Sequence, residues 1–323
     1  MPDIDLDVYL TADDLADGLR ADARTGLTAS PKWLPPKYFY DARGSELFEE
    51  ITRLPEYYPT RAEREILSTR AGAIARITGA KTLIELGSGS SEKTRLLLDA
   101  LREQGTLGSF VPLDVSAAAL RAALGELRRE YPDLHLHGIV ADFVRHLEVL
   151  PETGTRLVAF LGGTIGNFTP AERAPFLSGL RGRLSPGEFL LLGADLVKDP
   201  AVLVPAYDDG AGVTAEFNRN VLHVLNRELD GDFNPDAFEH VALWDPTREW
   251  IEMRLRAQAP MRVHLKGLNL TVAFAAGEEL RTEVSAKFRR DGLTAELAAA
   301  GFAVRDWWTD QPGRFALTLA TAI

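Results

Sequence analysis

The chain has 323 residues, 46% hydrophobic and 26% charged, an ordinary globular composition with length enough for one large domain or two smaller ones. Its net charge of −11 argues against a nucleic-acid partner, which would need basic clusters to meet phosphates. It has no cysteine, which excludes disulfides, thiolate metal sites and a cysteine nucleophile and is compatible with a reducing cytoplasm.

The N-terminal stretch Met-Pro-Asp-Ile-Asp-Leu-Asp is acidic and has no apolar signal region, and no apolar run reaches the length of a membrane span. The expectation is a cytoplasmic monomer without membrane or nucleic-acid partners. A first helix is predicted over Thr11–Ala23, with Leu10, Leu15 and Leu19 inward and Asp14 and Asp17 outward. Pro31, Pro35 and Pro36 then forbid a regular helix. Pro31–Tyr40 is therefore read as an extended segment whose Trp33, Tyr38, Phe39 and Tyr40 form either a packed arm or a lid over a ligand. A helical turn lies within Asp41–Ile51. Pro55 and Pro59 bracket Tyr57 and Tyr58, and Thr60 with Glu63 reads as a capping box for a helix from about Arg61 to Thr78.

Strands are predicted next over Thr82–Leu86, Ser109–Asp114, Leu134–Val140, Arg156–Leu161 and Glu188–Ala194. Helices separate them, one starting at Glu92 and others over Ser116–Tyr131 and Pro170–Leu184. Such alternation makes a parallel α/β sheet with its ligands at the C-terminal strand ends. The helix and two strands that should complete the sheet appear only at Gly292–Ala300, Phe302–Thr309 and Arg314–Ala320. The prediction is a seven-stranded Rossmann-like sheet built from residues 62–197 and 287–323. The intervening stretch carries an amphipathic helix over Thr214–Glu228 and strands around Ala237–Trp244, Glu249–Ala257, Arg262–Leu268 and Leu270–Phe274. Residues 1–61 and 198–286 are assigned to a second, α+β, substrate-binding domain.

The first predicted strand runs into Leu83-Ile-Glu-Leu-Gly-Ser-Gly-Ser-Ser-Glu-Lys-Thr94, a strand, glycine turn and helix of the kind that opens a nucleotide-binding sheet. A Walker loop would need a glycine immediately before Lys93, and the dinucleotide fingerprint would need one in place of Glu92. Glu85 at the strand end suits a cationic or zwitterionic ligand better than a pyrophosphate. Glu-x-Gly-x-Gly in this place resembles the signature of S-adenosylmethionine methyltransferases. Asp114, ending the second strand, could accept both ribose hydroxyls or cap the following helix. Asp142-Phe143 could bind and stack on adenine, or be a capping acid beside a core ring. Lys93 could hold the methionine carboxylate or be a solvated lysine. Asn167, in Gly162-Gly-Thr-Ile-Gly-Asn167-Phe, could face the reacting nitrogen or be a left-handed turn residue. His135 and His137 share a strand face with no third ligand nearby in sequence, so no metal is expected. No Gly-x-Ser-x-Gly nucleophile elbow is present.

Several longer segments extend this picture: Leu-Pro-Glu-Tyr57-Tyr-Pro-Thr-Arg-Ala-Glu, Phe160-Leu-Gly-Gly-Thr-Ile-Gly-Asn167, Tyr207-Asp-Asp, Ala215-Glu-Phe-Asn-Arg-Asn220 and Thr282-Glu-Val-Ser285-Ala-Lys-Phe. With the glycine turn they resemble the histidine-specific Nα-methyltransferases of ergothioneine biosynthesis, from about residue 30 to the C-terminus, with no departure at the positions carried over. The resemblance implies S-adenosylmethionine as methyl donor, L-histidine as substrate and hercynine as product. It implies that Tyr40, Gly87, Lys93, Asp114, Asp142 and Phe143 bind the donor. It places Asn167 and Tyr207, as the catalytic pair, on the amino and carboxylate end of histidine. Glu283, with Tyr57 and Ser285, would hold the imidazole, and Phe48, Gly162, Thr164 and Met253 would line the site. A methyl sulfonium needs no covalent catalysis and no metal, so the task is mainly one of positioning. No strong general base is evident, and proton loss to water through the Tyr207 hydroxyl is the expectation. The rival readings are a methyltransferase of the same fold acting on another amino acid or amine, and a non-catalytic S-adenosylmethionine sensor.

Overall fold

In the computed structural model, which describes residues 5–323, the apolar runs that alternate with amphipathic helices form one eight-stranded sheet. Its strands are β1 (Asp5–Val8), β2 (Thr82–Leu86), β3 (Ser109–Asp114), β4 (His135–Val140), β5 (Arg156–Phe160), β6 (Phe189–Asp195), β7 (Phe302–Thr309) and β8 (Phe315–Ala322), in the order β1-β4-β3-β2-β5-β6-β8-β7. Neighbours from β1 to β6 are parallel, and β8 runs antiparallel to both β6 and β7. Every residue of β2, β5 and β6 is buried, which is why these strands read as continuous apolar runs rather than alternating ones. The chain steps outward from β2 to β3 and β4, then returns to β5 on the other side of β2. That reversal opens a crevice beyond the C-terminal ends of β2 and β5, where sheets of this kind take their ligands. Ile66, Leu67 and Ile74 of the helix Pro59–Thr78 pack with Leu83, Leu97, Leu101, Phe110 and Leu191 in the core of this unit.

The sheet has one strand more than the sequence pattern predicts. Asp5–Val8 pairs in parallel with β4, Asp5 opposite His137 and Val8 opposite Val140. The run Asp5-Leu6-Asp7-Val8 does alternate but is only four residues long, and Leu6 and the nearby Leu10 supply its anchorage, packing with Leu120 and Val140. The helix expected from Glu92 begins instead at Arg95, because the glycine turn runs on through Ser91, whose φ is +51°.

Ala12–Tyr58 and Lys198–Lys287 make the second unit. Its four-stranded sheet runs in the order Lys32–Trp33, Glu279–Ala286, Trp250–Ala257, Phe238–Asp245, beside a two-stranded ribbon of Met261–Leu265 and Leu270–Phe274. The helices Ala12–Thr28, Ala42–Ile51 and Val213–Leu229 belong to the same unit, and a single apolar core holds it together, including Phe39, Leu47, Phe217, Leu222, Phe238 and Leu255. The proline-rich segment is a packed arm: Lys32–Trp33 pairs with Leu280–Arg281, and Tyr38 and Phe39 are buried. A Cβ on Gly26 would lie 1.9 Å from the Trp33 carbonyl oxygen, so only glycine lets the first helix meet the arm this closely. The strand Glu279–Ala286 is absent from the sequence prediction. Its polar residues hide the period of two, and its register slips between Arg281 and Glu283. Among the described residues, no helix is long and apolar enough to cross a membrane.

Candidate functional site

In the first unit the glycine turn after β2 needs left-handed backbone at Gly87 (φ +68°) and Gly89 (φ +50°). Asp114, at the end of β3, braces it: one carboxylate oxygen accepts from the Gly89 N–H at 3.0 Å and the other from the Ser116 N–H at 3.0 Å. The cap of the following helix is Ser116, whose hydroxyl accepts from the Ala119 N–H at 3.2 Å. Asp114 is thus not the capping residue, and although the Val115 N–H also bonds to its carboxylate, part of its accepting capacity is left for a ligand hydroxyl. Burial pushes its carboxyl up from the ordinary range, against the pull of the backbone N–H groups of Ser116 and Gly89. The half-buried Phe143 ring lies 3.5 Å from where a Cβ of Gly87 would stand. It is wedged edge-on between Phe160 and Phe176 at 5.3 and 6.0 Å. Asp142 beside it accepts from the Val144 N–H at 2.9 Å.

Glu85 does a different job from the one its position in the sequence suggests. Its carboxylate is buried within β2 and receives hydrogen bonds from the hydroxyls of Ser91, at 3.0 Å, and Thr94. Burial pushes its pKa up to about 7 in spite of those bonds. The pair of bonds ties the far side of the turn back to the strand, and holds Ser91 in a left-handed conformation that serine rarely takes.

Lys93 follows this turn, and its ammonium pairs with Glu63. Glu63 is fully buried and does not close the capping box foreseen for the helix Pro59–Thr78. Its two oxygens accept from the Gly162 N–H at 2.8 and 3.0 Å. Gly162 (φ +75°) and Gly163 (φ +71°) make the left-handed turn after β5. Asn167 lies in the 3-10 turn Thr164–Asn167, outside the left-handed region, and is half-buried. The conformational explanation for an asparagine here therefore fails, and its side chain remains as the reason for it. Thr164 donates to the Leu161 carbonyl at 3.0 Å. An acid with spare lone pairs, an aromatic ring beside a glycine turn and a lysine at its end are groups that fit the ribose, adenine and carboxylate of S-adenosylmethionine.

The remaining sequence-predicted residues are in the second unit. Glu283, Ser285 and Lys287 are spaced by two along one strand and its end, and so share a face. Met253 stands opposite Glu283 across the antiparallel pair. The buried Lys287 ammonium donates to the Tyr207 hydroxyl at 2.8 Å and to the Ser285 hydroxyl at 2.9 Å, and the two hydroxyls are 2.7 Å apart. Lys287 also lies 4.6 Å from the centre of the Tyr207 ring, a cation–π contact. Solvent reaches part of the Glu283 residue, but the surrounding protein pushes its carboxyl pKa up to about 7, with the Lys287 charge pulling the other way. Aromatic rings continue from this cluster: Tyr57 is 6.5 Å from Tyr207, Phe48 6.1 Å from Tyr57, and Tyr40 5.6 Å from Phe48. Tyr40, implied for the donor, thus keeps company with Phe48 and Tyr57, implied for the acceptor. Lys287 was not singled out from the sequence. The signal that could have found it is the period of two in Glu283-x-Ser-x-Lys287, visible only once that stretch is known to be a strand.

A buried chain of hydrogen bonds stands behind Tyr207. The Thr282 hydroxyl donates to Asn218 Oδ1 at 2.6 Å, Asn218 Nδ2 donates to His240 Nδ1 at 2.8 Å, and His240 Nε2 donates to the Tyr207 carbonyl at 2.8 Å. This requires a neutral imidazole, and burial does hold the His240 pKa below its ordinary value. Thr282 occupies the register slip of its strand, a place where bulges commonly re-aim neighbouring side chains. In the first unit, Asp5 and Asp7 bring to His137 the acids that are distant from it in sequence. His137 Nε2 is 2.9 Å from the carboxylate of Asp7 on the neighbouring edge strand.

Residues 19–322 match the model of a family described as histidine-specific, S-adenosylmethionine-dependent methyltransferases. The chain is 59% identical to the histidine N-alpha-methyltransferase of Mycolicibacterium smegmatis over 312 residues, covering 97% of each chain. It is 58% identical to the histidine N-alpha-methyltransferase of Mycobacterium tuberculosis, covering 94% of each. It is also 34% identical to ergothioneine biosynthesis protein 1 of Neurospora crassa over 69% of this chain and 28% of that much longer one.

Proposed function

The chain belongs to the histidine-specific, S-adenosylmethionine-dependent methyltransferases, and we propose that it methylates the α-nitrogen of L-histidine three times in succession. The product is hercynine, and the reaction is the first step of ergothioneine biosynthesis. S-adenosylmethionine supplies an electrophilic methyl group, so the protein has to present a neutral amine to it rather than activate it covalently. For the donor we assign Asp114 to the ribose hydroxyls, Asp142 and Phe143 to adenine, Lys93 to the methionine carboxylate, Gly87 to close backbone approach, and Tyr40 to the donor's surface. For the acceptor, the family resemblance implies Asn167, Gly162, Thr164 and Tyr207 at the amino-acid end.

The observation that supports a histidine ring is the Glu283–Ser285–Lys287 face with Tyr207. A carboxylate accepts from an imidazole N–H whether the ring is neutral or charged. The ammonium makes both hydroxyl oxygens accept from it, and the hydroxyls share one proton between themselves. Phe48, Tyr57 and Met253 add apolar walls. An apolar side chain would leave the polar groups of this face unpaired, which is a strong basis for rejection. The Tyr207 oxygen already accepts from Lys287 at 2.8 Å, so Tyr207 acts by binding, and the proton lost from the α-ammonium leaves to water. We also read the protein as a cytoplasmic monomer.

The test offers purified protein S-adenosylmethionine with histidine, tryptophan, tyrosine and phenylalanine singly. Release of S-adenosylhomocysteine with histidine alone is the expected result. Comparable release with tryptophan or tyrosine would overturn the assignment of Glu283. Donor binding without release for any amino acid would make the protein a sensor.

A further inference from the structure

We infer that Glu63 is a positioning residue that locks the donor-side and acceptor-side turns of the first unit to each other. The inference rests on the reading of Lys93 as a donor contact and of Gly162 as part of the acceptor site.

Glu63 sits near the start of the helix Pro59–Thr78 and is wholly inaccessible to water. Its carboxylate meets two elements remote in sequence: the Lys93 ammonium after β2 and the Gly162 N–H after β5. These two strands flank the reversal in strand order, so one buried group holds both walls of the crevice at that point. The sheet is shaped to admit it. A Cβ on Gly193, in the middle of β6, would lie 2.2 Å from Glu63 Oε1, and glycine alone clears that space.

A carboxylate removed from water is tolerated as an anion only with a countercharge and hydrogen bonds to its remaining lone pairs. Lys93 supplies the first and Gly162 the second. Lys93 keeps 20% of its side-chain surface exposed, and its ammonium has donors to spare after one is given to Glu63. The pair therefore fixes the direction of the remaining Lys93 donors while cancelling its charge. Without Glu63 the long lysine chain would turn its ammonium out to water, and the Gly162 N–H would lose its acceptor.

The two arms separate by substitution. Glu63→Gln keeps an oxygen for the Gly162 N–H but loses the ion pair with Lys93. Glu63→Ala loses both. Calorimetric binding of S-adenosylmethionine, without turnover, reads the donor arm, and the KM for histidine reads the acceptor arm. We expect Glu63→Gln to weaken donor binding about tenfold, the size of one charge-assisted contact, and to leave the histidine KM within about threefold. Glu63→Ala should weaken donor binding equally and raise the histidine KM about tenfold as well. Equal effects of the two variants on both readouts, unchanged donor affinity in Glu63→Gln, or a Glu63→Gln protein that does not fold would each overturn the inference and leave Glu63 a stability residue. Lys93→Met tests the underlying reading separately. If it leaves donor binding intact, the role of Lys93 is wrong; if it weakens donor binding and Glu63→Gln does not, only the role of Glu63 is wrong.

Discussion

Replacing Lys287 by methionine keeps the length of the side chain and removes its charge. The wild-type ammonium donates two hydrogen bonds, at 2.8 Å to Tyr207 and 2.9 Å to Ser285. Bonds from a charged donor contribute about 1.5–3 kcal/mol each. The two hydroxyls keep their mutual bond at 2.7 Å, so the net loss is nearer one such bond than two, about 2 kcal/mol. The lysine is also the one cause that favours the ionised form of Glu283 against burial. Without it burial pushes the Glu283 carboxyl further up and favours its protonated form. Both effects fall on the histidine side, so the histidine KM should rise at least about tenfold. Part of that loss should return as pH is raised and Glu283 ionises again. Initial rates of S-adenosylhomocysteine release against histidine, at several pH values from about 6.5 to about 9, read both. Donor affinity by calorimetry should stay at the wild-type value. A histidine KM that does not move, or donor affinity that falls by the same factor, would refute the assignment of this cluster to the acceptor.

Three further outcomes follow from the geometry. Asp114→Ala should weaken S-adenosylmethionine binding by about 2 kcal/mol or more, because it removes the proposed ribose acceptor; unchanged calorimetric affinity would sink that role. Gly193→Ala should cost about 1–3 kcal/mol of stability by overpacking, since its Cβ would stand 2.2 Å from Glu63 and 3.2 Å from the Phe315 ring; an unchanged melting temperature would contradict the packing described. Glu85 has its pKa raised from 4.5 to about 7, so the folded state holds its proton more tightly than the unfolded one. Its contribution is therefore full below about pH 4.5 and lost as pH rises through about 7, about 3 kcal/mol over that interval. Urea unfolding at about pH 5 and about pH 8 should show this loss in the wild type and a flatter dependence in Glu85→Gln; equal slopes in both would remove Glu85 as its source.

The sheet was legible because strands buried on both faces are mostly apolar, and β2, β5 and β6 announce themselves in that way, with Glu85, Arg156 and Asp195 as their charged exceptions. β1 was not, since its alternation of Asp5, Leu6, Asp7 and Val8 covers only four residues. The residues proposed for the donor stand out because a glycine turn, an acid at a strand end and an Asp-Phe pair occur in a fixed chain order. Their local meaning was less so. Glu85 reads as a ligand-facing anion and is in fact a brace for the turn, and Glu63 reads as a helix cap and is a buried bridge. Such roles depend on partners remote in sequence, Gly162 for Glu63 being 99 positions away. On the acceptor side, Glu283 and Ser285 came from resemblance, while the strand that aligns them with Lys287 was obscured by its own charge.

The most direct measurement is the structure of the product formed from histidine and excess S-adenosylmethionine, by tandem mass spectrometry with proton NMR. The account predicts histidine carrying three methyl groups on the α-nitrogen, with mono- and dimethylated forms appearing first and being consumed. A methyl group on an imidazole nitrogen, or a reaction that ends at one methyl, would contradict it.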